Sequence, residues 1–100
     1  MTIPELAPAD ALVHQQRGAA LIDIREAHER ALGMAEGAFG IAMGELVYAP
    51  SKHLADPQAE IVLICQSGMR SLRAAEILAS QGYSHVASVA GGTARWIAEG

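Results

Sequence analysis

Two short apolar runs constrain the fold of this chain more than any other feature. They are Ala19-Ala20-Leu21-Ile22-Asp23-Ile24 and Ile61-Val62-Leu63-Ile64-Cys65, both partly β-branched and both bounded by turn residues. Near-continuous apolarity over about five residues is the mark of a strand buried on both faces, as in a parallel sheet covered by helices. His85-Val86-Ala87-Ser88-Val89 reads as a third, weaker strand. The whole chain has 100 residues, so one core is expected and residues 1–100 are read as a single domain.

Helical patterns lie between the strands. Pro8 to Arg17 carries proline near its start and Gly18 just beyond its end, the usual asymmetry of a helix. Glu26 to Leu32 reads as a short helix closed by Gly33, and a further short helix is expected around Met43 to Val47 in an otherwise irregular stretch from Gly33 to Asp56. Ser71 to Gln81 is the clearest helix. Arg73, Glu76 and Ser80 form its polar stripe, Ala74, Ala75, Ile77 and Leu78 cover the other side, and Gly82 follows as the C′ residue. Thr93 to Glu99 reads as a last helix anchored by Trp96 in the core. Strands alternating with helices predict an α/β fold: a central, mostly parallel sheet with helices on both faces.

Composition removes several classes of partner. Hydrophobic residues make up 51% of the chain and charged residues 18%, which argues against a disordered protein. A net charge of -4 argues against nucleic acid or an anionic membrane as the main partner. No apolar run approaches the roughly 20 residues of a membrane span, and no signal peptide is visible after Met1. The single cysteine, Cys65, excludes an internal disulfide. It fits a reducing, cytoplasmic setting in which the thiol is either inert or reactive. His14, His28, His53 and His85 show no metal-ligand spacing, and no metal or organic cofactor is expected.

The informative stretch is Cys65-Gln66-Ser67-Gly68-Met69-Arg70-Ser71. A buried strand ends at the cysteine, and a loop from Cys65 through Arg70 feeds a helix expected to start at Ser71. That places Cys65 at the carboxyl end of a strand, where open α/β sheets keep their ligand sites. It also aims loop N–H groups and the positive end of the helix dipole at the sulfur. Gly68 permits the positive φ that a loop curled around one atom needs. Arg70 adds a positive charge, with pairing to a surface carboxylate as its plainer role. All three features favour a thiolate below the free-thiol pKa of roughly 8.5. Gln66, Ser67 and Met69 offer backbone N–H groups. Ser71 is either a helix cap or a donor to a sulfur adduct. Asp23 and Arg25, polar at the end of a buried strand, are read as a structural ion pair and helix cap bracing the loop, in preference to a catalytic pair.

The loop resembles the active-site loop of the rhodanese family, sulfurtransferases that carry sulfane sulfur as a cysteine persulfide. Other marks appear in order. Asp23-Ile24-Arg25-Glu26 is similar to the family's Asp-x-Arg-Glu. Glu29 and Gly33 precede a segment ending in Gly37-Ala38, and Gly91-Gly92 with Trp96 is similar to the closing Gly-Gly-x-x-x-Trp. The likeness spans about residues 5 to 100. Met34 and Glu36 stand where the family has histidine and proline, and Arg30 where it often has an aromatic. Cys65 and Arg70 are separated by four residues. Similar dual-specificity phosphatases have one residue more, so the ring of N–H groups here suits a sulfur atom better than a tetrahedral phosphate.

The resemblance implies transfer of sulfane sulfur from thiosulfate or a related persulfide donor to cyanide or a thiol through a Cys65 persulfide. The partners implied are a small anionic donor, a thiol or cyanide acceptor and, in a second reading, a sulfur-relay protein for which this domain is a carrier or interaction module. A third reading makes Cys65 a redox-sensing thiol, weakened by the lack of a resolving cysteine. Gly91-Gly92 is expected to pass tightly beneath the site, and Glu26 and Glu29 to occupy a solvated helix face.

Overall fold

The structure is a computed structural model and describes residues 2–99. Its centre is a sheet of five strands: β1 (Glu5–Leu6), β2 (Ala20–Asp23), β3 (Phe39–Gly40), β4 (Ile61–Ile64) and β5 (Val86–Val89). The spatial order is β1-β5-β4-β2-β3, and every pairing is parallel. The helices are α1 (Pro8–Gln16), α2 (Ala27–Arg30), α3 (Met43–Tyr48), α4 (Met69–Ser80) and α5 (Gly92–Glu99), with a 3-10 turn at Pro50–Lys52.

The two apolar runs form adjacent strands, in register from Ala20 opposite Ile61 to Asp23 opposite Ile64. Their side chains alternate between two cores. Ile22, Ile61 and Leu63 pack with Leu46 of α3 and Ala74, Ala75 and Leu78 of α4 on one face. Leu21, Val62 and Ile64 pack with Ala11 of α1 on the other. Alanines let the helices approach closely, and truncating a fully buried residue such as Leu63 would cost about 2–5 kcal/mol.

Several expectations need correction. Two strands, β1 and β3, were not legible, because each has only two residues and no periodicity can show in so short a piece. They are recognised by pairing, Glu5 with Ser88 and Ile22 with Phe39. The helix expected from Ser71 starts at Met69, since Gly68 is its N-cap in a left-handed conformation. Met69 and Arg70 are therefore helical. The helix expected over Glu26 to Leu32 is confined to Ala27–Arg30, with Glu26 as its cap. Trp96 is only half-buried; it packs against the edge of the α1-side core.

After β2 the chain leaves toward β3, and after β4 it leaves through α4 toward β5 on the opposite side. The connections diverge between two neighbouring strands. This is the switch point at which parallel α/β sheets open a crevice at their carboxyl edge, and Asp23, Arg25 and Cys65 stand at that edge.

Candidate active site

Cys65 follows the last residue of β4 and is 1% exposed. Its sulfur is met by donors from the turn that follows. The N–H of Gly68 lies 3.1 Å and the N–H of Ser71 3.3 Å from Sγ, and the Ser71 hydroxyl lies 3.4 Å away. Burial pushes the thiol pKa up. The Ser71 hydroxyl and the N–H groups of Ser71, Gly68 and Ser67 together outweigh that burial and leave the pKa below its ordinary value. The 12-residue α4 begins at this loop and directs its positive end at the sulfur.

Two glycines make the turn close. Gly68 has φ of 105°, and a Cβ there would meet the backbone N of Gly91 at 3.1 Å. Gly92 has φ of 61°, and a Cβ there would fall 2.5 Å from the Cys65 carbonyl oxygen. The Gly91-Gly92 step thus passes directly beneath the loop, as expected. The start of α5 holds the loop's carbonyls: the Thr93 N–H and hydroxyl donate to the Cys65 oxygen at 2.7 and 3.0 Å, and the Ala94 N–H donates to the Gln66 oxygen at 3.2 Å. In a trans peptide the N–H points opposite to its C=O. Fixing these carbonyls toward α5 therefore turns the N–H groups of Gln66 and Ser67 away from it.

Asp23 and Arg25 form the buried ion pair anticipated for them. The Arg25 guanidinium donates to both Asp23 oxygens, to Oε1 of Gln66 at 3.0 Å and to the Gly33 carbonyl at 2.7 Å. Asp23 holds the Arg25 pKa above its usual value against the opposing effect of burial. The pair braces the cysteine loop through Gln66. Asp23 caps no helix; it accepts the Arg25 N–H in a local turn, and Glu26 caps α2.

Arg70 makes no hydrogen bond to the sulfur. Its guanidinium makes a bidentate pair with Glu29 of α2, at 2.9 and 2.7 Å, which is its plainer role. Glu29 stands on a partly solvated face of α2, 24% exposed, and has Arg70 as its partner there. It binds Arg70 and closes the capping box of α2 through the Glu26 N–H, and Arg70 holds its pKa down at about 2.

Ser71 is not the N-cap of α4, a place taken by Gly68. Its hydroxyl lies 2.7 Å from that of buried Ser88 on β5 and also reaches the Gly68 carbonyl at 3.2 Å. Ser88 and Thr93 escaped the reading of the sequence. A lone serine in Val86-Ala87-Ser88-Val89 and a threonine directly after Gly91-Gly92 were the signals available. Gln66, Ser67 and Met69 are exposed at the rim. Among the described residues no group of three or more His, Cys, Asp or Glu side chains could hold a metal ion, and no helix is long and apolar enough to cross a membrane.

The sequence matches the Rhodanese-like domain family over residues 7–99. The chain belongs to the rhodanese-like domain family. It is 33% identical over 96 residues to thiosulfate sulfurtransferase GlpE of Haemophilus influenzae, covering 96% of this chain and 90% of that protein. Among solved structures, the human single-domain sulfurtransferase TSTD1 superimposes on this rhodanese-like domain with a TM-score of 0.83 at 28% identity, covering 97% of each chain. The reduced Bacillus anthracis CoADR-RHD does so with a TM-score of 0.85 at 29% identity, over 95% of this chain but 16% of that longer one. Sulfurtransferase activity in general is what these comparisons support for this rhodanese-like domain.

Proposed function

We propose that residues 1–100 act as a single sulfurtransferase domain in which Cys65 is the catalytic nucleophile, with Gln66, Ser67, Gly68, Met69 and Ser71 forming the cradle for its persulfide. The observation that carries this reading is the convergence of the Gly68 N–H, the Ser71 N–H and the Ser71 hydroxyl on one sulfur. Such a cradle stabilises an anionic sulfur without a neighbouring base. Asp23 and Arg25 support the loop and do not react. Arg70 belongs to the same loop through its backbone, while its guanidinium is engaged by Glu29.

The chemistry is a double displacement. The Cys65 thiolate attacks the outer sulfur of thiosulfate or a related donor. The bond between the two donor sulfurs breaks, and sulfite, or a thiolate, leaves with its electron pair. The outer persulfide sulfur then lies among the N–H donors. Cyanide or a thiol attacks that outer sulfur, the bond to Sγ breaks, and the Cys65 thiolate returns. A thiolate of this kind works only where thiols stay reduced, and on that ground we place the protein in the cytoplasm.

Stoichiometric thiosulfate should add the mass of one sulfur at Cys65, and Cys65→Ser should lower thiocyanate production to background. Retained thiocyanate production in that variant would sink the mechanism. Alkylation of Cys65 by iodoacetamide, followed against pH, should show a midpoint below that of a free thiol, and Ser71→Ala should move it upward because one donor to the thiolate is lost.

A further inference from the structure

The two arginines nearest the cysteine loop are both engaged by carboxylates. Arg25 is held by Asp23 inside the protein. Arg70, in the first turn of α4, spends both guanidinium edge nitrogens on the two oxygens of Glu29. Arg30 of α2 donates through Nε to the Arg25 carbonyl at 3.2 Å and lies against Gly40 of β3, the residue paired with Asp23. The cysteine loop therefore presents amide dipoles to an incoming donor, and the arginine of the loop itself, Arg70, is already paired.

That matters for the charge of the substrate. Thiosulfate brings two negative charges to a pocket that already holds a thiolate, and like charges at close range repel. A free arginine would offset this and bind the sulfonate-like oxygens in bidentate fashion. Here thiosulfate would first have to displace Glu29, and the displaced carboxylate would remain beside it as a second source of repulsion. A small hydropersulfide brings its sulfur without that double charge and needs no arginine.

We propose that Glu29 determines donor specificity: by occupying Arg70 it turns the site away from dianionic donors and toward hydropersulfides that leave as a singly charged thiolate. The inference rests on the sulfur-transfer reading above and narrows its donor class. In the favoured half-reaction the Cys65 thiolate attacks the outer sulfur of R–S–SH. The donor S–S bond breaks, R–S⁻ leaves with the electron pair, and Cys65 carries S–SH.

The test is steady-state kinetics on the full chain, with cyanide as acceptor and two donors: thiosulfate, and the hydropersulfide of a small uncharged thiol. Gln at position 29 can still close the capping box, so Glu29→Gln should fold. It should lower KM for thiosulfate by about tenfold, the worth of one charge-assisted hydrogen bond. KM for the hydropersulfide should stay within about twofold, and added salt should erode the thiosulfate gain. Arg70→Gln leaves Glu29 unpaired and should raise KM for thiosulfate. The double variant, Glu29→Gln with Arg70→Gln, restores the net charge and should return to the wild-type KM.

Unchanged KM for thiosulfate in Glu29→Gln overturns the proposal. So does an equal change for both donors, or a gain that persists in the double variant. Each of these outcomes leaves the sulfurtransferase reading standing. Turnover of neither donor by the wild-type protein overturns both.

Discussion

Two arginine–carboxylate pairs flank the cysteine loop, and they differ in their access to water. The side chains of Arg25 and Asp23 are 4% and 0% exposed, whereas those of Arg70 and Glu29 are 42% and 24% exposed. Both tie the cysteine loop or its helix to the segment after β2: Arg25 through Gln66 and Gly33, Arg70 through Glu29. In the buried pair the two charges compensate each other where water hardly reaches. Removing one partner strands an ion in a medium that cannot solvate it. In the half-exposed pair water stands ready to replace either partner, so the pair contributes little to stability. The buried pair is scaffold, and the exposed one is free to set the charge that a substrate meets.

The largest expected effect is on the buried side. Asp23→Asn should lose about 3–5 kcal/mol of stability in urea unfolding, because Arg25 is left as an uncompensated buried cation. A loss comparable to that of an ordinary surface substitution would erase the contrast between the two pairs. Replacing both partners, Asp23→Leu with Arg25→Met, should cost less than Asp23→Asn alone, since no charge is then stranded. If the double variant is worse, hydrogen bonds to Gln66 and Gly33 dominate over charge burial.

On the exposed side, Arg70→Gln should leave the urea midpoint at pH 7 close to that of the wild type. A drop as large as that of Asp23→Asn would show the exposed pair to be scaffold as well. The smallest effect is in acid. The Glu29 pKa is lowered in the fold from an ordinary value of 4.5 to about 2, chiefly by Arg70. A depressed carboxylate pKa stabilises the folded state above the ordinary value, and that contribution is lost as pH falls through about 2. Wild-type stability should therefore fall further than that of Arg70→Gln between neutral pH and about pH 3. Parallel losses would mean that Arg70 does not set the Glu29 pKa.

The same division of buried from exposed explains what could be read in advance. β2, β4 and β5 were visible because burial on both faces writes continuous apolarity into the chain, and α4 because its alanine face repeats at helical spacing. Cys65, Gly68 and Ser71 were visible because a loop wrapped on one atom needs a glycine and donors at fixed intervals. The partner of Glu29 was not legible because a glutamate on a short helix looks the same whether it faces water alone or also an arginine 41 positions away. Ser88 and Thr93 were missed because each acts across the fold, on Ser71 and on the Cys65 carbonyl.

Local sequence thus determined the alternating α/β plan, the strand-end position of Cys65 and the bend that gathers amide hydrogens around it. These depend on interactions a few residues apart, which spacing and side-chain type specify. Only the tertiary structure decided that Arg70 belongs to Glu29 and not to the sulfur, that Ser71 rests on Ser88, and that α5 pins the carbonyls of Cys65 and Gln66. Those contacts join segments far apart in the chain, and sheet order, which no local pattern encodes, is what brings them together.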